Sequence, residues 1–326
     1  MKFIAYFDIV NNVLKGGSVR SPIRPKECVA IVGKDEAIGK IIADRLKIPV
    51  AKRVLDFFND GEAHVQILDN IIGKDVFIIQ STHSPIDQRL FPVLLLADAA
   101  RRSFARSITL ITPYFGYSRQ DRMAEPNTPI SSKVVADMLY SVGINHVVTV
   151  DLHSAQTQGF FDMTIENIDT NQLFAEYIKN NIKNKKLAIV SPDAGGAKRA
   201  RKIADLIGCK EVILLDKDRY AKNKSAVMNI IGNPEGKDLI IVDDIIDTAG
   251  TISNAAKSLK EHGGNKVIII ATHPVFSGNA LNNLSSDNID KIVVTNTIPI
   301  DKKLSKIEIL DISDLLAKNI YNNSIS

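Results

Sequence analysis

The feature that most constrains this chain is an alternation. From residue 28 onward, short runs of β-branched and apolar residues, apolar on both faces, are separated by stretches of helical periodicity. The runs are CVAIVG (28–33), DVFIIQS (75–81), ITLITPYF (108–115), HVVTVDL (146–152), KLAIVSPD (186–193), EVILLDK (211–217), DLIIVDD (238–244), KVIIIATH (266–273) and KIVVTNT (291–297). Helical stretches fall over 35–47, 89–106, 130–142, 170–183, 196–207 and 252–262. A strand without a polar face has to be covered on both sides, which means parallel sheets flanked by helices. So many strands exceed one comfortable sheet, and 326 residues exceed one average core. Two α/β domains follow, meeting near residues 155–170.

Composition matters mainly for what it excludes. A formal charge of +4 is mild, and aromatics at 6% with no tryptophan leave little material for base stacking, so no nucleic-acid partner is expected. Cys28 and Cys209 are too far apart for a metal-ligand spacing and read as inert thiols of a reducing compartment. The opening MKFIAYFDIV is interrupted by Asp8 and no small-residue cleavage site follows, so it predicts a β-strand and not a signal peptide. No apolar run reaches the roughly 18 residues of a membrane span. The expected location is cytoplasmic, with no membrane partner.

In open α/β sheets ligands sit beyond the carboxyl ends of the strands. There the sequence reads STHS, PYFGYSRQDR, DLHSAQ, SPDAGGAKRA, DKDR, DDIIDTAGT and THP, groups suited to phosphate or metal after nearly every run. The densest is LIIVDDIIDTAGT (239–251). Four aspartates lie between Asp238 and Ala256 without one lysine or arginine. Like charges about 4 Å apart repel by roughly 4 kcal/mol at an effective dielectric near 20, so such a cluster needs a metal, hydroxyl donors or open water. A strand, a small-residue turn and a helix start form an anion site from backbone N–H groups, threonine hydroxyls and the helix dipole. The aspartates are then free for vicinal sugar hydroxyls, or for Mg²⁺ through water. The bland alternative is that Thr251 caps a helix beside solvated turn aspartates. For Lys198, Arg199, Arg201 and Lys202 a basic helix face is the reading adopted for most. The polar stretches 114–132 and 217–226 are long loops, a length usually tied to function or disorder.

The 239–251 stretch resembles the phosphoribosyl-diphosphate signature of type I phosphoribosyltransferases. With FNDGEAHVQI, GKDVFIIQST, PYFGYSRQDR, DLHSAQTQGFFD, SPDAGG, VMNIIG and THPVFSGNA in unbroken order, the chain from about residue 29 resembles the ribose-phosphate diphosphokinase family. The resemblance implies an α/β fold of two parallel-sheet domains of type I phosphoribosyltransferase-like fold. The first spans 1–168 and the second 169–304, with about 305–326 packing back on the first. It implies transfer of the diphosphoryl group of ATP to the C1 hydroxyl of ribose 5-phosphate, with Mg²⁺ as cofactor. Implied ATP contacts are Phe58, Asp60, Gly61 and Glu62, reaching from a neighbouring subunit, with Arg119 and Gln120. Asp243, Asp244, Asp247, Thr248, Ala249, Gly250 and Thr251 would hold ribose 5-phosphate. Asp193, Gly195 and Gly196 would cradle the diphosphate, and His153 and Asp193 match metal positions. Lys217 and Arg219 match the cations of a mobile catalytic loop. A closed homo-oligomer, dimer-based and expected to be a hexamer, is implied, in which a monomer is inactive.

The chain departs from the family's wording in MAEPNTPI, which lacks a cation after Arg122, at Asp218, in HSPIDQRL, and in a longer start. These departures leave the acidic loop, Lys217, Arg219 and His153 intact and imply a divergent, weakly regulated enzyme. Two alternatives stand beside it. One is a phosphoribosyltransferase, which needs neither a second α/β domain nor the Phe58 and Arg119 set. The other is a non-catalytic regulatory homologue that associates with synthetase subunits.

Overall fold

The computed structural model describes residues 27–184, 186–217, 228–300 and 304–325. The strand expected over the opening residues, Asp218 and Arg219 lie outside them. Two sheets organise the chain. The first contains β1 (Cys28–Val32), β4 (Asp75–Ile79), β5 (Ser107–Thr112), β6 (His146–Val150) and β7 (Thr164–Ile168), all parallel and in chain order across the sheet. Its helices are α1 (Glu36–Arg45), α2 (Asp87–Arg102) and α3 (Ser131–Ser141), and an antiparallel hairpin, β2 (Arg53–Phe57) and β3 (Ala63–Ile67), stands beside it.

The second sheet has seven strands. They are β8 (Leu187–Ser191), β9 (Val212–Lys217), β10 (Met228–Ile231), β11 (Asp238–Ile246), β12 (Val267–Pro274), β13 (Lys291–Thr295) and β14 (Ile307–Leu310), with α4 (Asn171–Asn181), α5 (Ala197–Ile207), α6 (Gly250–Glu261) and α7 (Ala280–Leu284). The spatial order is β10-β9-β8-β11-β12-β13-β14, parallel except for the β9–β10 pair. The final helix, α8 (Ser313–Ile325), returns to the first sheet.

Period-two alternation builds the layers. In β4, Val76 and Ile78 face a core closed by α2 and α3, whereas Phe77 and Ile79 face one closed by α1 and α8. Both sets are nearly solvent-free, which is why the run reads as apolar throughout. A fully buried Ile78 contributes about 1.5–3 kcal/mol by leaving water, and Ile78→Ala costs about 2–5 kcal/mol because a cavity remains. The hairpin, β7, β10 and β14 were not legible as such runs. AHVQI alternates half-buried with exposed positions, RVLDF is half-buried except at Asp56, and the other three are edge strands with polar residues. Among the described residues no helix is long and apolar enough to cross a membrane.

Candidate active site

The chain leaves β8 in one direction, toward β9 and β10, and builds β11 to β14 on the other side. That reversal opens a crevice beyond the carboxyl ends of β8 and β11, the place where such sheets bind ligands. The end of β8 supplies Ser191, Asp193, Gly195 and Gly196, and the end of β11 supplies the acidic stretch. The first sheet turns the ends of β5 and β6 toward the same place.

Strand β11 runs two residues beyond the expected end at 244, with Ile245 and Ile246 paired to His273 and Pro274. The acidic pair therefore sits inside a strand rather than in the turn after it. Asp243 Oδ1 accepts the backbone N–H of Asp244 at 2.9 Å, while the carboxylate of Asp244 meets His153 Nδ1 at 2.7 Å. His153 comes from the loop after β6, so this contact joins the two sheets. Burial and the adjacent Asp244 charge push Asp243 up to about 8, and Asp193 adds to the effect. Asp244 goes the other way. Burial opposes its ionisation, but the His153 contact, the hydrogen bond with Asp243 and the Arg199 charge together hold it well below the usual carboxylate range. The His153 imidazole is correspondingly raised by its bond to Asp244.

Beyond β11, Ala249 takes a left-handed conformation (φ 59°) and α6 begins at Gly250, two residues earlier than the periodicity predicts. Thr251 thus belongs to the first turn instead of preceding the helix. The first N–H groups of α6 have no intrahelical acceptor, and with the left-handed residue before them they form an anion cradle. Asn283 Nδ2 donates to the carbonyl of Thr248 at 2.8 Å and braces the turn. Asp247 accepts a hydrogen bond from Ser277 and pairs with Arg119 Nη1 at 2.5 Å. Arg119, expected at ATP, and Asp247, expected at the ribose phosphate, are in direct contact.

On the β8 side, Asp193 Oδ1 accepts the N–H of Gly196 at 2.9 Å, and Ser191 Oγ donates to the carbonyl of Asp193 at 2.7 Å. A Cβ on Gly196 would stand 2.8 Å from Ser191 Oγ, so this turn requires a glycine. Among the described residues no three His, Cys, Asp or Glu side chains gather into a ready cation cage. The donor set nonetheless suits a hard cation that keeps water and substrate oxygens as ligands. Asp243 has no cationic partner among the described residues, and burial beside Asp244 raises its pKa.

A buried polar seam lies under the crevice. Asp151, at φ 40°, accepts hydrogen bonds from Thr170, from Thr272 Oγ1 at 2.5 Å and from Arg199 Nη1 at 3.0 Å. The buried imidazole of His273 meets Thr297 Oγ1 at 3.0 Å and the carbonyl of Val150 at 3.1 Å. Burial holds that ring neutral by lowering its pKa. Arg199 is therefore no member of a solvated basic face; its guanidinium is largely enclosed and neutralises Asp151. The signal was present in the sequence, since 199 and 203 share a helix face and Ile203 is fully buried.

Other expected residues lie apart from this cluster. Phe58, Asp60, Gly61 and Glu62 form the tip of the hairpin, where Gly61 takes φ 92° and Phe58 is 55% exposed. The side-chain contacts described there are local, Phe58 with His64 and Asp60 Oδ1 with the N–H of Glu62. The Gln120 carboxamide oxygen accepts from Ser131 Oγ at 2.6 Å, so that atom holds the start of α3. Lys217 ends β9, its backbone paired with Met228.

Two family models match the chain. One describes the N-terminal domain of ribose phosphate pyrophosphokinase, over residues 29–143, and the other a phosphoribosyl synthetase-associated domain, over residues 211–325. A ribose-phosphate pyrophosphokinase of Helicobacter pylori (strain ATCC 700392 / 26695) is 46% identical over 291 residues, covering 88% of this chain and 91% of the relative. The protein of that name from Wolinella succinogenes is 45% identical over 288 residues, covering 87% and 93%. Among solved structures, phosphoribosylpyrophosphate synthetase from Mycobacterium smegmatis superposes with a TM-score of 0.86 at 35% identity, covering 90% of this chain and 97% of that one.

Proposed function

The chain belongs to the ribose-phosphate pyrophosphokinase family, and from that premise we propose how its crevice carries the reaction. The enzyme transfers the diphosphoryl group of ATP to the C1 hydroxyl of ribose 5-phosphate, giving 5-phosphoribosyl 1-diphosphate and AMP. The C1 oxygen bonds to the β-phosphorus, the bond from that phosphorus to the α-phosphate oxygen breaks, and the hydroxyl proton is lost. The phosphoribosyltransferase and regulatory readings gain no support from the relatives.

The observation that carries the residue assignment is the pair of contacts across the crevice, His153 with Asp244 and Arg119 with Asp247. They put an ATP-side cation against the ribose-side loop, as a two-substrate transfer demands. In our reading the N–H groups at the start of α6, with Thr248 and Thr251, take the 5-phosphate. Asp243 and Asp244 accept the sugar hydroxyls, and the turn Asp193–Gly196 lets backbone approach the diphosphate. Arg119 orients the phosphates of ATP, and Phe58 covers the base from a neighbouring subunit of a homo-oligomer. The exposure of Phe58 supports that last assignment. Lys217 and Arg219 supply positive charge to the transferring group.

The family's chemistry needs a divalent metal, and we assign Mg²⁺, which would supply positive charge against the phosphates. Asp243, Asp193 and His153 are the residues to hold it, with water completing the shell. Phosphorus NMR of the protein with ATP, ribose 5-phosphate and Mg²⁺ tests the assignment, beside a Lys217→Ala control. AMP and phosphoribosyl diphosphate should appear together and fade in the control. Full turnover by Lys217→Ala would remove that residue from the machinery.

A further inference from the structure

The turn after β1, residues Val32 to Asp35, is bound on three sides, and none of these contacts is used in the reaction as described. Gln80 enters it from the end of β4. Its Oε1 accepts the N–H of Lys34 at 2.5 Å and its Nε2 donates to Asp35 Oδ2 at 2.6 Å. Asp35 also holds His83 Nε2 at 3.0 Å and Arg89 at 3.3 Å. The turn is thereby fixed to β4 and to the start of α2.

The third side is the hairpin that ends in Phe58. Arg53, Leu55 and Phe57 share one face of β2. Leu55 packs on the first core, with Val65 and Ile67 of β3. The two flanking residues belong to the turn. Arg53 Nε and Nη2 donate to the carbonyls of Val32 at 2.6 Å and Gly33 at 2.7 Å. At the other end Lys34 Nζ lies 4.8 Å from the centre of the Phe57 ring and donates to Gln88 Oε1 at 2.8 Å. One rigid turn therefore grips β2 at both ends of its inward face. Phe58, Asp60 and Glu62 follow directly and are exposed.

We propose that Lys34 and Arg53 are positioning residues for ATP, setting the angle at which the hairpin presents Phe58, Asp60 and Glu62 to the nucleotide. The inference rests on the reading above that this tip contacts ATP. Packing of Leu55, Val65 and Ile67 secures one face of the hairpin, and the Lys34–Phe57 contact adds a tie next to the tip. A tip free to swing loses pre-organisation, which weakens nucleotide binding without touching the transfer step.

Steady-state kinetics of the full-length enzyme test this, with Lys34→Ala, Lys34→Arg, Arg53→Ala and Phe58→Ala compared and thermal melts as the check on folding. Losing the cation over the ring should raise KM for ATP about fivefold in Lys34→Ala. KM for ribose 5-phosphate and kcat should stay as they are. Lys34→Arg should restore ATP binding, because a guanidinium also sits over an aromatic face. Arg53→Ala should raise KM for ATP in the same selective way. An equal rise in both KM values, or no rescue by arginine, overturns the positioning role. A raised ATP KM in Phe58→Ala beside a normal one in Lys34→Ala and Arg53→Ala overturns that role alone. A normal ATP KM in Phe58→Ala brings down the hairpin's nucleotide assignment, and this inference with it.

Discussion

Two turns occupy the same place in a βα unit, one in each sheet, between a parallel strand and the helix after it. The turn after β1 is filled. Gln80 sits where a Cβ on Gly33 would come within 2.2 Å of its Oε1, and Asp35 is matched by Arg89 and His83. The turn after β11 is left open, with a carboxylate that meets no cation among the described residues and a helix start whose first N–H groups have no intrahelical acceptor. The strand orders differ in the same sense: the first sheet runs in chain order, and the second reverses between β8 and β11. A shared βα geometry becomes a site only where the protein declines to satisfy its own polar groups. The filled turn spends that geometry on rigidity.

If this contrast holds, damage to the open turn should fall on catalysis, whereas damage to the filled turn should spare kcat and fall on stability and on the set of the hairpin it grips. Asp244→Asn removes the negative charge facing His153 and should cut kcat/KM for ribose 5-phosphate about a thousandfold. Its melting temperature should hold, and a collapse there would break the contrast. Next in size, co-expressed Asp244→Asn and Phe58→Ala subunits should recover activity that neither variant shows at limiting ATP. Assays of mixed oligomers decide this, and failure to recover would put hairpin and crevice in one subunit. Gly33→Ala should then destabilise by about 2 kcal/mol in urea melts, through overpacking against Gln80, while kcat is kept.

The smallest effect concerns pH. The folded pKa of Asp243 is raised to about 8 from 3.8. Its contribution is thus fully present below the unfolded value and is lost as pH rises through the folded one. Without divalent cation, melting temperature should fall by about 3 °C between pH 5 and pH 8.5. Asp243→Asn should flatten the curve, and Mg²⁺ should restore the wild type at the alkaline end. A flat wild-type profile would mean that Asp243 is already compensated.

The strands buried on both faces were legible because their burial is written into every residue of runs such as 75–79 and 267–274. The hairpin was not, because Arg53 and Phe57 face inward only by virtue of a turn some twenty residues away. The chemistry at the strand ends was legible as composition. Its pairing was not, since His153 and Asp244 meet across 91 residues of chain. STHS and DDIIDTAGT looked alike as phosphate-seeking strand ends. The first turned out to pack against the self-occupied turn after β1, with His83 committed to Asp35, a distinction that depends on where Gln80 points. The sequence reading left open which of Lys198, Arg199, Arg201 and Lys202 departs from a basic helix face, and Arg199 does, because the face it shares with Ile203 is the buried one.

Helix α8 gives the molecule an order of completion. Ile312, Leu316, Ala317 and Ile320 close the face of the first sheet lined by Ala30, Phe77 and Ile79. On the ribosome that sheet emerges early, whereas this covering helix is translated after both sheets. Until it emerges, one side of the nascent sheet is covered by α1 alone, which leaves a surface suited to chaperone capture and to aggregation. A premature stop anywhere after β13 would leave every residue of the crevice translated and still strip the oldest part of the protein of its cover. What is synthesised first is finished last.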